Sequence, residues 1–176
     1  MQNNLQVKFI PLKPDHLNLL YKWLNLDHVA KWYGKGRNYQ FYRNVEDHYL
    51  PRTRDICSTK AFIIYIDQNS IGYIQTYKIT DYPDYNKHIQ ADNNSAGMDL
   101  FIGDENYLHR GLGPEIIKKF LNEVVFKIFD VEKCIIGPEL ANKAAIKAYQ
   151  KAGFSYWKTV KIPDEAEPEY LMILKN

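Results

Sequence analysis

The chain has 176 residues, which at about 100–200 residues per domain predicts one domain over 1–176, large enough to bury a core. Apolar residues make up 45% and charged residues 25%, with 9 Gly and 8 Pro, which excludes collagen, low complexity and disorder. Twenty-three Lys plus Arg against 21 Asp plus Glu leave a net +2, too little for a global field that steers nucleic acid or an anionic membrane to the surface.

Gln6 to Pro11 alternates polar and apolar residues and predicts a strand. Pro14 stands where a first helical turn begins, and Leu17, Leu20, Tyr21 and Leu24 recur at helical spacing to about Leu26. His28 to Phe41 breaks that period around Gly34 and Gly36 and reads as a loop, after which Asn44 is a candidate cap for a helix that Pro51 ends or kinks. Ala61 to Ile66 and Ile71 to Ile79 predict an antiparallel hairpin, and Asp81 to Ser95 a long surface loop. Ala96 to Ile102 is a further strand. Pro114 to Phe129 is the best helix, with Ile116, Ile117, Phe120, Leu121, Val124, Val125 and Ile128 on one face. Lys133 to Gly137 predicts a short buried strand and Asn142 to Ala152 a capped helix stopped by Gly153; two strands near Phe154 to Lys161 and Tyr170 to Leu174 finish the chain. That order fits an α/β sandwich of mixed sheet and flanking helices.

No apolar run approaches the ~20 residues of a membrane span, and the first residues lack the basic and apolar blocks of a signal peptide, so a cytoplasmic protein is expected. Cys57 and Cys134 have no C-x-x-C spacing; two buried thiols are expected rather than a disulfide framework or a zinc site. His16, His28, His48 and His88 show no metal-binding spacing, so no metal is expected.

The segment from Asn106 to Pro114 joins the best strand to the best helix. Such a Gly-rich turn leaves N–H groups unpaired where the helix dipole is positive, so Arg110, Gly111, Leu112 and Gly113 can each aim an N–H at phosphate oxygens, while Pro114 needs none. The turn lacks the Gly-Lys-Ser/Thr of a Walker loop and is not G-x-G-x-x-G. Taken alone, it is equally well a structural strand-to-helix connection.

Asn142 to Phe154 resembles the N-x-x-A-x-x-x-Y-x-K-x-G-F segment of the GNAT superfamily of acetyl-CoA-dependent N-acetyltransferases, and the glycine turn looks like that family's pyrophosphate loop. The resemblance implies the GNAT fold, a mixed, splayed central sheet of about six to seven strands flanked by about four helices, with acetyl-CoA as co-substrate. The turn departs from the usual Q/R-x-x-G-x-G: Asn106 replaces Gln or Arg, and His109 replaces the first Gly. His is among the few residues enriched at positive φ, so the turn is expected to survive at a cost of ~1 kcal/mol. A narrower likeness to bacterial aminoglycoside 6′-N-acetyltransferases runs through Tyr21-Lys22-Trp23-Leu24-Asn25, Val29 to Gly34, Ile71-Gly72-Tyr73-Ile74-Gln75-Thr76-Tyr77, Gly97-Met98-Asp99 and Pro163-Asp164.

Acetyl transfer needs a neutral amine beside the thioester, donors for the oxyanion and a proton for the departing thiolate. Asp99 lies in an otherwise apolar strand, where a carboxylate either pairs with a structural base or meets the substrate. By resemblance it faces the acceptor amine, and Tyr149 is the general acid to the CoA thiolate. The same resemblance gives the cofactor the backbone of Leu100, Phe101 and Ile102, the turn His109 to Pro114, and Asn142, Ala145 and Tyr149. A polycationic acceptor calls for several carboxylates, and Asp81, Asp84, Asp92, Asp164 and Glu165 are the candidates, with Trp32, Tyr33 and Tyr77 as an apolar wall.

The expected function is acetyl transfer from acetyl-CoA to an aminoglycoside 6′-amine by direct ternary-complex attack. Hydroxylysine, a protein N-terminus, and a silent acyl-CoA-binding sensor are the alternatives. The expected partner is a small amine, without nucleic acid or membrane, and the protein is a monomer or homodimer.

Overall fold

The computed structural model describes residues 6–163 and 167–176. Seven strands form one mixed, mostly antiparallel sheet: β1 (Val7–Pro11), β2 (Lys60–Ile66), β3 (Asn69–Lys78), β4 (Ser95–Ile102), β5 (Lys133–Ile136), β6 (Ser155–Val160) and β7 (Glu169–Lys175). Their hydrogen-bonded order is β1-β2-β3-β4-β5-β7-β6. The helices are α1 (Leu17–Leu24), α2 (Asp27–Ala30), α3 (Tyr42–Tyr49), α4 (Pro83–Ile89), α5 (Gly113–Phe120), α6 (Phe126–Ile128) and α7 (Lys143–Ala152), with a π turn at Leu121–Val125. The fold class and strand number agree with the sequence expectation.

The chain divides into two compact units, one running through Gln75 with Asp99–Arg110 added, the other comprising Thr76–Met98 and Gly111–Asn176. In the first, β1 and β2 pair antiparallel from Val7↔Ile66 to Pro11↔Phe62. The turn between β2 and β3 is closed by Asp67 at φ +56°, a conformation Asp tolerates better than most side chains. Leu17, Leu20, Trp23 and Leu24 recur every three or four residues along α1, and they bury one stripe against Val45 and Tyr49 of α3, Ala61 and Ile63 of β2, Tyr73 and Phe101. Each such aliphatic side chain contributes about 1.5–3 kcal/mol when fully buried. In the loop that follows α2, Gly34 adopts φ +71° and lets the Tyr39 ring approach so closely that a Cβ would stand 2.5 Å from it.

In the second unit β4 and β5 run parallel, pairing Ser95, Ala96 and Gly97 with Lys133, Cys134 and Ile135. β5 and β6 each pair antiparallel with β7. Helix α7 begins at Asn142, whose side chain accepts from the Ala145 N–H, and ends at Gly153 with φ +110°, the left-handed cap expected there.

Four local expectations differ. Helix α3 starts at Tyr42 with Phe41 as its cap residue, and Asn44 lies inside it, its amide donating to the Asn38 carbonyl. The expected loop from Asp81 to Ser95 contains α4, which begins on Pro83 and stops at Gln90 with φ +50°; only Ile89 of it is buried, so no apolar period marks it. The π turn adds a residue per turn to the long helix, rotating its downstream face, and Ile128 is left 46% exposed. Cys134 is buried as expected, but Cys57 is half-buried. No helix among the described residues is long and apolar enough to cross a membrane.

Candidate active site

Within the first unit, polar side chains form a hydrogen-bonded chain that ends on Asp99. Gln75 is a buried amide on a stretch of β3 whose residues Ile71 to Thr76 are all buried, so its polar atoms require partners from the protein. Its Nε2 donates to Asp99 Oδ2 at 2.7 Å. Its Oε1 accepts from the Tyr73 hydroxyl at 2.7 Å and from Arg52 Nη1 at 2.8 Å. Arg52, on the 3-10 turn Leu50–Thr53, also reaches the Tyr73 hydroxyl at 3.4 Å and lies over the Tyr49 ring, 5.0 Å from its centroid. Burial pushes the Asp99 carboxyl above the usual range, against the opposing pull of the Gln75 hydrogen bond and the Arg52 charge. Burial also holds Tyr33, Tyr49 and Tyr73 well above the ordinary tyrosine value, so all three stay neutral. Asp99 is thus a half-buried carboxyl with one oxygen anchored.

Tyr33 and Tyr73 pack on Phe101, Tyr33 edge-on at 4.8 Å and Tyr73 stacked at 5.6 Å between centroids. Tyr33 is therefore placed beside the residues that hold Asp99. Trp32 is half-buried, with the Lys31 and Lys35 ammonium groups 4.8 and 5.5 Å from its ring centroid. Tyr77 belongs to the second unit, packs edge-on against Tyr82 at 4.9 Å, and approaches Gly97 so closely that a Cβ there would stand 2.6 Å from the ring.

The parallel ladder between β4 and β5 ends at Gly97↔Ile135, so Leu100, Phe101 and Ile102 lie beyond its last pair. After β4, Asp104 caps a 3-10 turn by accepting from the Asn106 N–H and amide, each at 2.9 Å. Asn106, which replaces the usual Gln or Arg, is thus occupied with turn structure. His109 adopts φ +58° and Gly111 φ +73°, so both turn the chain through the left-handed region before α5. The backbone N–H groups of Arg110, Gly111 and Leu112 make no hydrogen bond among the described residues. Pro114 is the second residue of α5, and Gly113 before it faces Ala148 of α7 at 3.5 Å from a would-be Cβ. The Arg110 guanidinium stacks over Tyr107 at 5.3 Å.

On α7, Asn142 Oδ1 accepts from the Ala145 N–H at 3.2 Å, which engages that N–H and leaves the Asn142 NH2 available. Tyr149 is buried on the same helix with Ile146 and Ala152, its ring 6.1 Å from that of Phe154. The described acids among the acceptor-side candidates each have their own surroundings. Asp84 is exposed in the first turn of α4 and pairs with Lys87 at 3.1 Å. Asp92 bonds the Lys133 ammonium and the Ser95 hydroxyl, and Asp81 is exposed. Asp164 and Glu165 lie outside the described residues. No group of three or more His, Cys, Asp or Glu among the described residues is arranged to hold a metal ion.

Asp99 and Tyr33, both named as site candidates from the sequence, lie in or beside this chain of groups, whereas Arg52, Tyr49 and Tyr73 are not among those candidates. Gln75 and Thr76 did carry a signal, two polar residues inside a run with no solvent-facing alternation; Arg52, following Pro51 in a short connection, carried none.

Residues 13–162 match the family described as acetyltransferase (GNAT) domain. The chain is 30% identical over 148 residues to an aminoglycoside N(6′)-acetyltransferase type 1 of Klebsiella pneumoniae, covering 84% of this chain and 73% of that one. Among solved structures, it is similar to aminoglycoside acetyltransferase AAC(6′)-Ib in complex with coenzyme A, at 29% identity and a TM-score of 0.85 over 97% of this chain and 95% of that one. The same enzyme with ribostamycin and coenzyme A gives a TM-score of 0.87, again at 29% identity, over 97% and 94% of the two chains.

Proposed function

The chain belongs to the GNAT acetyltransferase family, and we propose that, as an acetyl-CoA-dependent N-acetyltransferase, it modifies the 6′-amine of an aminoglycoside. The observation that carries the choice of acceptor is the similarity, over most of the chain, to an enzyme that bears that activity in its name.

In this reading the N–H groups of the turn from His109 to Pro114 hold the diphosphate of acetyl-CoA, with Arg110 adding charge. The pantetheine amides meet the backbone of Leu100, Phe101 and Ile102, and Asn142 and Ala145 on α7 line the same cofactor. Asp99 receives a proton from the acceptor ammonium, a task suited to a carboxyl held above its usual range because it is then the stronger base. The neutral nitrogen attacks the thioester carbonyl and the oxyanion is stabilised by backbone N–H groups near Leu100 and Phe101. Collapse breaks the C–S bond and the Tyr149 hydroxyl protonates the departing thiolate. The nitrogen's second proton goes to solvent, from which the Tyr149 phenolate takes a proton back, and Asp99 releases the first proton to solvent to complete the cycle. No acetyl-enzyme is required. Trp32, Tyr33, Tyr77, Asp84 and Asp164 complete the acceptor side.

A second acceptor class is favoured by a specific observation. Two ammonium groups already occupy the Trp32 ring, and Asp84 and Asp92 are engaged by lysines, which suits an amine carrying fewer positive charges, such as hydroxylysine or a peptide N-terminus. Thiol release from acetyl-CoA, followed over kanamycin, ribostamycin, hydroxylysine and short peptides with mass spectrometry of each product, decides between them. Acetylation of kanamycin or ribostamycin at the 6′-nitrogen is expected. Turnover confined to hydroxylysine or peptides moves the assignment to that class, and binding of acetyl-CoA with no turnover on any acceptor identifies a sensor.

A further inference from the structure

Asp99 is the base of the proposed reaction, and the role of Arg52 rests on that reading. We propose that Arg52 is a positioning residue for the reaction: acting through Gln75, it locks which oxygen of Asp99 is anchored and which is left for the acceptor amine.

The geometry is directional. An amide side chain can lie in either of two orientations: the ionised Asp99 carboxylate accepts only and by itself favours the Gln75 NH2, but the protonated carboxyl can donate and would accept either orientation. Here its Oε1 accepts from two donors at once, Arg52 Nη1 at 2.8 Å and the Tyr73 hydroxyl at 2.7 Å. Flipping the amide would turn its NH2 onto a guanidinium, which has no acceptor, and would set its carbonyl against the Asp99 carboxylate. Both contacts are repulsive in a site with little water to screen them. Arg52 is always charged and cannot reverse its role, whereas the Tyr73 hydroxyl could rotate and accept instead, so the guanidinium enforces the orientation. The planar group is held in turn by the Tyr49 ring at 5.0 Å and by its contact to Tyr73 at 3.4 Å. Asp99 Oδ2 is thereby fixed by Gln75 at 2.7 Å, and Oδ1 is the oxygen left to meet an ammonium. Asp99 is faced by Gln75 from β3, by Arg52, and by the neutral hydroxyls of Tyr33 and Tyr73; of these only Arg52 brings charge, and it favours the ionised carboxylate.

The test compares Arg52→Met, Arg52→Lys, Gln75→Met and the double variant Arg52→Met/Gln75→Met, using whichever acceptor the wild-type protein acetylates, or acetyl-CoA hydrolysis where none is found. Arg52→Met is expected to lower kcat by about tenfold or more, with the KM for acetyl-CoA unchanged, and to move the acidic limb of kcat/KM to higher pH. Arg52→Lys restores part of the rate, since one N–H can still reach Gln75 Oε1. The double variant loses no more than the worse single one, because both act through one amide. A pH profile for Arg52→Met that superimposes on the wild type, or losses that multiply in the double variant, overturns the proposal. If Arg52→Met does not fold, the pH limb of Arg52→Lys and Gln75→Met carries the same decision. Full activity of Asp99→Asn, by contrast, strikes the role of Asp99 itself and is read separately.

Discussion

Asp99→Asn is expected to abolish acetyl transfer while leaving the affinity for acetyl-CoA and the thermal stability intact. The loss follows from the chemistry: an ammonium cannot attack a thioester, Asn has no basic oxygen to deprotonate it, and a positioned base contributes about 10²–10⁴-fold. The stability half follows from the direction in which the carboxyl is shifted. Its folded value lies above the ordinary one because burial penalises the charge, so the folded protein binds this proton more tightly than the unfolded chain does. That advantage is fully present below the unfolded value and is lost as pH rises through the folded value. At neutral pH the native protein therefore carries the carboxylate at a cost, and Asn, which still accepts from Gln75, relieves it. Steady-state rates, an acetyl-CoA titration and melting curves at pH 7 check the three parts. A melting temperature equal to or above the wild type accompanies the loss of turnover; retained turnover removes Asp99 from the chemistry.

Gly72→Ala is expected to destabilise the protein severely, by about 3 kcal/mol or more. A Cβ at Gly72 would stand 2.3 Å from the Phe101 carbonyl oxygen and 3.1 Å from the Ile102 Cα, both backbone atoms that cannot swing aside. Next to it, the Ile71 carbonyl accepts from the Gly103 and Asp104 N–H groups at 2.8 and 3.1 Å, so any retreat of the chain also breaks these bonds. For a protein of this size the melting temperature should fall by about 6–12 °C. Gly113→Ala is the contrast: its Cβ would meet Ala148 at 3.5 Å, an ordinary contact, and its backbone is helical, so its melting temperature should barely move. Equal melting temperatures for Gly72→Ala and the wild type would show that the two strands can part at that point without penalty.

The sequence is most legible where one physical constraint acts along the chain. Asn142 and Gly153 bracket α7 because a cap and a left-handed stop are local requirements, and the apolar stripe of α5 shows itself through its period. His109 at φ +58° is foreseeable because few side chains accept that conformation. Helix α4 stays hidden because it buries a single residue, and α3 begins two residues before its expected cap because Phe41 takes the cap position. The chain of groups leading to Asp99 is half legible. Asp99 and Gln75 are polar residues on strands that are otherwise apolar, so each has to find a partner, but that Arg52 reaches Gln75 across 23 positions is a fact of tertiary structure with no trace in spacing. Asp92 reads in the sequence as a member of an acidic site and is instead tied to Lys133 and Ser95, a pairing between residues 41 positions apart in the first case.

The most direct test is a crystal structure with coenzyme A bound. The diphosphate is expected on the backbone N–H groups of Arg110, Gly111, Leu112 and Gly113, with the pantetheine against the β4 residues Leu100 to Ile102 and its sulfur within reach of Tyr149. A diphosphate held elsewhere, with those amides turned to solvent, contradicts the assignment of the turn and of every residue placed by reference to it.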